Sequence, residues 1–130
     1  GAARGAYILA DAIGGARVVL LASGSEVDVA LKARAALAVD GIGARVVSMP
    51  SHELFAAQPA AYREDVLPRD VPRVAIEAAH PMSWYRWVGE GGAIIGLDHF
   101  GASAPFANLY AEFGFTSANV VETAKALLTR

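Results

Sequence analysis

Four side chains capable of acid–base or metal-binding chemistry lie in two short segments of the chain. The first segment contains Glu77 and His80, and the second contains Asp98 and His99. A carboxylate paired with an imidazole serves general acid–base catalysis, and both groups also bind divalent metals. Each segment follows an apolar run, so the four side chains could converge at one edge of a sheet. Spacing alone does not require this, and we favour the interpretation that they are ordinary polar residues of loops.

Ser23, Gly24 and Ser25 form a second candidate site, because they join an apolar run to an amphipathic one. The backbone N–H groups at the start of a helix attract anions, so this turn predicts a weak anion site without a basic side chain. Ordinary helix capping is the alternative, and we favour it. The turn has one glycine where a dinucleotide fingerprint needs three, while Ser23 and Glu26 have the spacing of a capping box and Ser25 is a competing N-cap.

Two further motifs have simpler explanations than catalysis. His52 falls in the first turn of a predicted short helix and is interpreted as an exposed residue. The tripeptide at residues 101–103, Gly-Ala-Ser, resembles the start of a nucleophile elbow. Pro105 stands where that motif requires its second glycine, so we reject a serine nucleophile.

The aromatic segment at residues 84–87 has two interpretations. Trp84, Tyr85 and Trp87 lie close together in the sequence. Exposed aromatic side chains favour an interface, whereas burial would make them part of the core. We predict that this segment, with Phe100 and Phe106, is a surface that leads to self-association, and core burial remains the alternative.

Composition excludes several classes of function. The chain has 130 residues, a formal net charge of −2 and no cysteine. One domain of this length can bury an adequate core, and disulfides or cysteine-ligated metals are impossible. The chain has no basic run and no long apolar stretch, so we expect no nucleic-acid partner and no membrane partner. We expect a soluble, cytoplasmic protein.

The elements that position these residues alternate between strands and helices. The uninterrupted apolar run at residues 18–22 predicts a strand covered on both faces, as in a parallel sheet flanked by helices. The strand at residues 6–10 is too close to it for a helical crossover, so the two are antiparallel or non-adjacent. The other predicted strands are 44–49, 72–78 and 93–97, and the predicted helices after the first are 52–58, 60–66, 84–87, 103–113 and a last one capped by Thr116 or Ser117.

The pattern as a whole predicts an α/β fold with three layers, α/β/α. Its five-stranded mixed sheet has four parallel strands and one antiparallel strand, which is the first. In the helix after Ser25 we expect a face formed by Val27, Ala30, Leu31, Leu37 and Ala38 to pack on the sheet, with Gly41 ending the helix.

Six separated strings resemble the C-terminal domain of transketolase, in the order of that family. They are LASGSEV at 21–27, RVVSMPS at 45–51, YREDVLP at 62–68, GAIIG at 92–96, FGASAP at 100–105 and FGFT at 113–116. The opening RGAY at 4–7 also fits, so the resemblance covers the chain almost end to end. It implies a Rossmann-like domain over residues 1–130, without the preceding cofactor-binding domains.

The resemblance implies the activity of the whole enzyme. Transketolases transfer a two-carbon ketol unit between a ketose phosphate and an aldose phosphate in the pentose phosphate pathway. They use thiamine diphosphate and a divalent metal, Mg²⁺, held by the preceding domains at a homodimer interface. The implied partners are therefore sugar phosphates, the other domains of the same polypeptide and a second subunit.

The resemblance assigns no catalytic, cofactor-binding or metal-binding residue to this sequence. The G-D-G motif of the diphosphate and metal site is missing, and departures from the family pattern lie around residues 79–87. We therefore expect this domain to serve structure and assembly, to be inactive alone, and to bind neither thiamine diphosphate nor Mg²⁺. An independent small-molecule-binding or regulatory α/β module is the alternative hypothesis.

Overall fold

A computed structural model describes residues 2–77, 84–96 and 116–129 of the chain. The strands are β1 (Tyr7–Ala10), β2 (Val18–Ala22), β3 (Ala44–Ser48), β4 (Arg73–Glu77) and β5 (Ala93–Gly96). The helices are α1 (Glu26–Val39), α2 (His52–Ala56), α3 (Ala60–Val66), α4 (Tyr85–Val88) and α5 (Ser117–Leu128), preceded by a 3₁₀ turn at Ala2–Arg4.

The strands form one sheet in the order β1-β3-β2-β4-β5. Strand β1 runs antiparallel to β3, and the other neighbouring pairs are parallel. The first strand is thus antiparallel and not adjacent to β2, as its short connection predicted. The predicted mixed sheet with four parallel strands is confirmed.

Two apolar cores cover the two faces of the sheet. Strand β2 lies between them and is completely buried, with Val18, Leu20 and Ala22 on one face and Val19 and Leu21 on the other. Helices α1 and α5 pack on the first face, and α2, α3 and α4 pack on the second. This arrangement confirms the three-layer α/β/α architecture.

Helix α1 packs on the sheet with most of the predicted face, since Val27 and Leu31 are partly buried against the first core. Its fully buried apolar residues are Ala30, Ala33 and Leu37. Ala38 is exposed, so the predicted contact of this residue is wrong. Each helical residue is rotated by about 100° from the one before, and Ala38 therefore points away from the sheet that Leu37 contacts.

Several predictions fall on residues outside the described ranges. They concern His80, Asp98, His99, the Gly-Ala-Ser tripeptide at 101–103, Phe100, Phe106 and the helix at 103–113. In the described ranges, every helix is too short or too polar to cross a lipid bilayer.

Candidate functional site

The turn after β2 holds the first candidate site, and it does not form the predicted capping box. Ser25 is the N-cap of α1, but its backbone has helical angles (φ −68°, ψ −21°) and its side chain makes no capping hydrogen bond. A capping side chain reaches the helix amides from an extended backbone. Instead, Ser25 Oγ donates to Glu26 Oε2 over 3.0 Å. The capping-box prediction for Ser23 and Glu26 is therefore wrong.

The same turn places a carboxylate beside the predicted anion site at Ser23, Gly24 and Ser25. Glu26 is only 6% exposed, and its N–H group donates to the Ser23 carbonyl. Gly24 has a φ of +59°, which explains the glycine of this turn. A buried carboxylate repels a bound anion, so any binding at residues 23–25 should be weak. The weak anion site at these residues stays a prediction.

His52 follows β3 and is part of an aromatic cluster. Ser51 caps α2 by accepting a hydrogen bond from the N–H group of Leu54, which fixes His52 at the start of the helix. The indole Nε1 of Trp87 donates to His52 Nδ1 over 3.2 Å. His52 also contacts Trp84 in an edge-to-face arrangement, with 4.4 Å between the ring centroids. The interpretation of His52 as an exposed residue is therefore wrong.

Glu77 ends β4 and binds the other tryptophan of this cluster. The indole Nε1 of Trp84 donates to Glu77 Oε1 over 2.8 Å. Trp84 is completely buried and Trp87 is 5% exposed, whereas Tyr85 is 61% exposed. The prediction that the aromatic segment is an exposed surface is wrong for both tryptophans, because they pack in the second core.

Three described polar side chains that follow β2, β3 and β4 are thus engaged in internal contacts. Glu26 binds Ser25, His52 binds Trp87, and Glu77 binds Trp84. Residues 2–77, 84–96 and 116–129 contain no group of three His, Cys, Asp or Glu side chains that could hold a metal ion. Of the four side chains proposed to converge, the structure describes Glu77 alone.

The second face of the sheet carries a cleft that the sequence pattern did not predict. Among the described residues, Glu64, Trp87 and four arginines line it, and we call it the arginine cleft: Arg63, Arg69, Arg73 and Arg86. Its volume is about 290 Å³. Four of the nine arginines of the chain lie between positions 63 and 86, which is the one sequence signal that could have revealed it.

Two titratable groups of the arginine cleft have shifted pKa values. Burial lowers the pKa of the Arg73 guanidinium, and Glu64 partly offsets this effect. The backbone N–H group of Arg69 and then its guanidinium donate to Glu64, and these hydrogen bonds lower the pKa of that carboxyl. Glu64 is therefore ionised at neutral pH and occupied by Arg69.

Comparison with known proteins identifies close relatives along nearly the whole chain. Residues 5–116 match the family described as the transketolase-like C-terminal domain. The transketolase of Halalkalibacterium halodurans is 53% identical over 98% of this chain, and transketolase 1 of Escherichia coli is 52% identical over 97%. The solved transketolase from Leishmania mexicana aligns with all of the chain at a TM-score of 0.87 and 44% identity. This chain spans 19% of the length of each of these three proteins.

Proposed function

The chain belongs to the family of transketolase-like C-terminal domains, and from this membership we propose that it is the C-terminal domain of a ketol transferase. In the proposed reaction, a two-carbon ketol unit moves from a ketose phosphate to an aldose phosphate, as in the pentose phosphate pathway. The observation that carries the proposal is the match to transketolases, which are about five times longer than this chain.

Thiamine diphosphate and Mg²⁺ are proposed to be held by parts of the protein outside this chain. Mg²⁺ in such sites binds carboxylate oxygens and phosphates with near-octahedral geometry. The described residues contain no cluster of acidic or histidine side chains that fits this requirement. We therefore assign no step of the reaction to a residue of this chain.

The proposed role of the domain is structural, through packing on the rest of the polypeptide and on a second subunit. Glu26, His52 and Glu77, the described candidate side chains at the strand ends, are engaged internally, which supports a role other than catalysis. Ile13 and Val39 are each 86% exposed. Because four fifths of the relatives' length lies outside this chain, we propose that neighbouring domains cover these two side chains.

A chimera tests this proposal. The matching C-terminal region of the Halalkalibacterium halodurans transketolase is deleted in one protein and replaced by residues 1–130 of this chain in another. We expect ketol transfer and dimer formation to be lost on deletion and recovered in the chimera, while the 130-residue chain alone is inactive. Activity is measured with a ketose phosphate and an aldose phosphate, and assembly by sedimentation velocity.

Surface variants of the chimera refine the test. Ile13→Asp with Val39→Asp should weaken assembly, whereas Ala36→Asp, at an exposed position of α1, should not. A correctly folded chimera without activity would contradict the proposed enzyme. Full activity of the deleted protein would contradict the assembly role and favour the independent regulatory module.

A further inference from the structure

The four guanidinium groups of the arginine cleft come from separate parts of the chain. Arg63 lies in the last turn of α3, Arg69 in the loop after it, Arg73 at the start of β4 and Arg86 in α4. Helix packing and strand pairing bring all four to one cleft of about 290 Å³. That volume is close to the lower limit of about 300 Å³ for small-molecule sites.

Two of these arginines are engaged by other groups of the fold, although the Arg69 side chain is still 85% exposed. The Arg73 guanidinium donates to the carbonyl groups of Trp87, Leu67 and Pro68, and so joins α4 to the loop before β4. Arg69 forms an ion pair with Glu64, with 3.1 Å between Nε and Oε1. These contacts give Arg69 and Arg73 structural roles. Among the described residues that line the cleft, Glu64 is the one carboxylate.

The other two arginines retain hydrogen-bond donors. Arg63 donates through Nε to the carbonyl of Gln58, and among the described residues its terminal nitrogens make no hydrogen bond. Arg86 lies over the ring of Trp87, with 4.8 Å from Cζ to the ring centroid, and makes no hydrogen bond or ion pair within residues 2–77, 84–96 and 116–129. A guanidinium group has five N–H donors arranged as a planar fork, which suits phosphate oxygens.

The charge of the cleft also favours an anion. In the part of the chain that the structure describes, its lining carries four arginines against one carboxylate, and Glu64 already accepts two hydrogen bonds from Arg69. Asp70 and Glu90 line a neighbouring cleft that shares Arg69 and Arg73, but not Arg63 or Arg86. The excess positive charge is therefore concentrated where the unused donors are.

We propose that the arginine cleft binds a small phosphate monoester, with Arg63 and Arg86 as the residues that bind the phosphate group. The charge of the cleft favours a dianion over a singly charged carboxylate. Trp87 also lines the cleft, and its cation–π contact holds Arg86 in position. The site lies apart from the turn at residues 23–25 and goes beyond the proposed assembly role.

Nuclear magnetic resonance of the 130-residue chain tests this inference, since both cores are formed by its own residues. Inorganic phosphate, glycerol phosphate and acetate are titrated at low ionic strength. We expect saturable shifts of the Arg63 and Arg86 Nε–H signals and of the Trp87 indole signal with both phosphates and only weak shifts with acetate. Tighter binding of glycerol phosphate than of inorganic phosphate would show that the organic part contributes.

Variants separate a built site from general electrostatic attraction. Arg63→Gln and Arg86→Gln should each weaken phosphate binding roughly tenfold. Arg86→Lys, which keeps the charge but loses the fork, should give a smaller loss. Arg17→Gln removes an exposed charge outside the cleft and serves as the matched control, with little expected change. Circular dichroism checks that each variant is folded.

Several results would overturn the inference. These are the absence of saturable shifts at millimolar phosphate, or an equal effect of Arg17→Gln and Arg86→Gln. If the natural full-length polypeptide fails to bind phosphate, other domains cover the cleft. This result would also contradict a ligand site in the cleft. Because binding is measured without any activity, its failure is distinct from failure of the chimera experiment.

Discussion

The indole of Trp84 donates a 2.8 Å hydrogen bond to Glu77 and thereby joins the start of α4 to the carboxyl end of β4. Trp84 is completely buried, so its N–H group depends on a protein acceptor. Glu77, one of the four side chains considered for acid–base or metal-binding chemistry, has a structural role in this contact. A carboxylate at a strand end can therefore serve packing as well as chemistry.

Removal of the Glu77 acceptor should destabilise the domain. Glu77→Leu leaves the buried Trp84 N–H group without this partner, and we expect a loss of about 1–3 kcal/mol in the free energy of unfolding. Glu77→Gln keeps an acceptor oxygen and should lose less. Urea unfolding followed by circular dichroism measures both variants, and equal stability of Glu77→Leu and the parent chain would contradict this role.

The tryptophans should be shielded from solvent in the folded chain. Trp84 and Trp87 are buried against Phe55 and His52, so iodide should quench their fluorescence several-fold less in the folded chain than in urea. Acrylamide, which is neutral and penetrates more readily, serves as the comparison quencher. Iodide quenching that is equal in the folded and the unfolded chain would mean that α4 does not pack on the sheet.

The fold could be predicted because its signals are local. The uninterrupted apolar run of β2 indicated a buried parallel strand, and the short connection before it indicated that β1 pairs elsewhere. Thr116 was one of two predicted caps, and it accepts a hydrogen bond from the Asn119 N–H group at the start of α5. Each of these inferences depends on residues close together in the sequence.

The contacts of the candidate sites could not be predicted because they join distant residues. Trp87 and His52 are 35 positions apart, and no periodicity indicates that their side chains meet. The arginine cleft likewise depends on how α3 and α4 pack on the sheet. At residues 23–26 the local rule itself failed, since Ser25 adopts helical angles and Glu26 turns towards it.

The glycine at position 5 should tolerate no side chain. It has a φ of +86°, and an added Cβ would overlap the backbone of Phe55 and Ser51. We expect Gly5→Ala to cost about 2–5 kcal/mol through strain and overpacking. Gly14→Ala is the matched control, because Gly14 has a φ of +81° with open space around it and should cost only about 1–2 kcal/mol. Thermal unfolding measures both, and similar losses would contradict the close packing at Gly5.

The ion pair between Asp11 and Arg45 should make stability depend on acidic pH. Arg45 Nε lies 2.9 Å from Asp11 Oδ1, and this hydrogen bond is the main cause that lowers the pKa of Asp11 below its ordinary value of 3.8. Because the pKa of Asp11 is lower in the folded chain than in the unfolded chain, the ion pair stabilises the fold at pH values above the unfolded-state pKa. This contribution is lost as the pH falls through the folded pKa.

The variant Asp11→Asn tests this dependence. Because the Asp11 side chain is 54% exposed, we expect a loss below about 1 kcal/mol at neutral pH, and the variant and the parent should converge as the pH falls below 3.8. Asp70→Asn removes an exposed carboxylate that forms no ion pair among the described residues, and it serves as the matched control. Urea unfolding at a series of pH values gives the two free-energy differences. A difference for Asp11→Asn that stays constant across that series would mean that the ion pair does not form in solution.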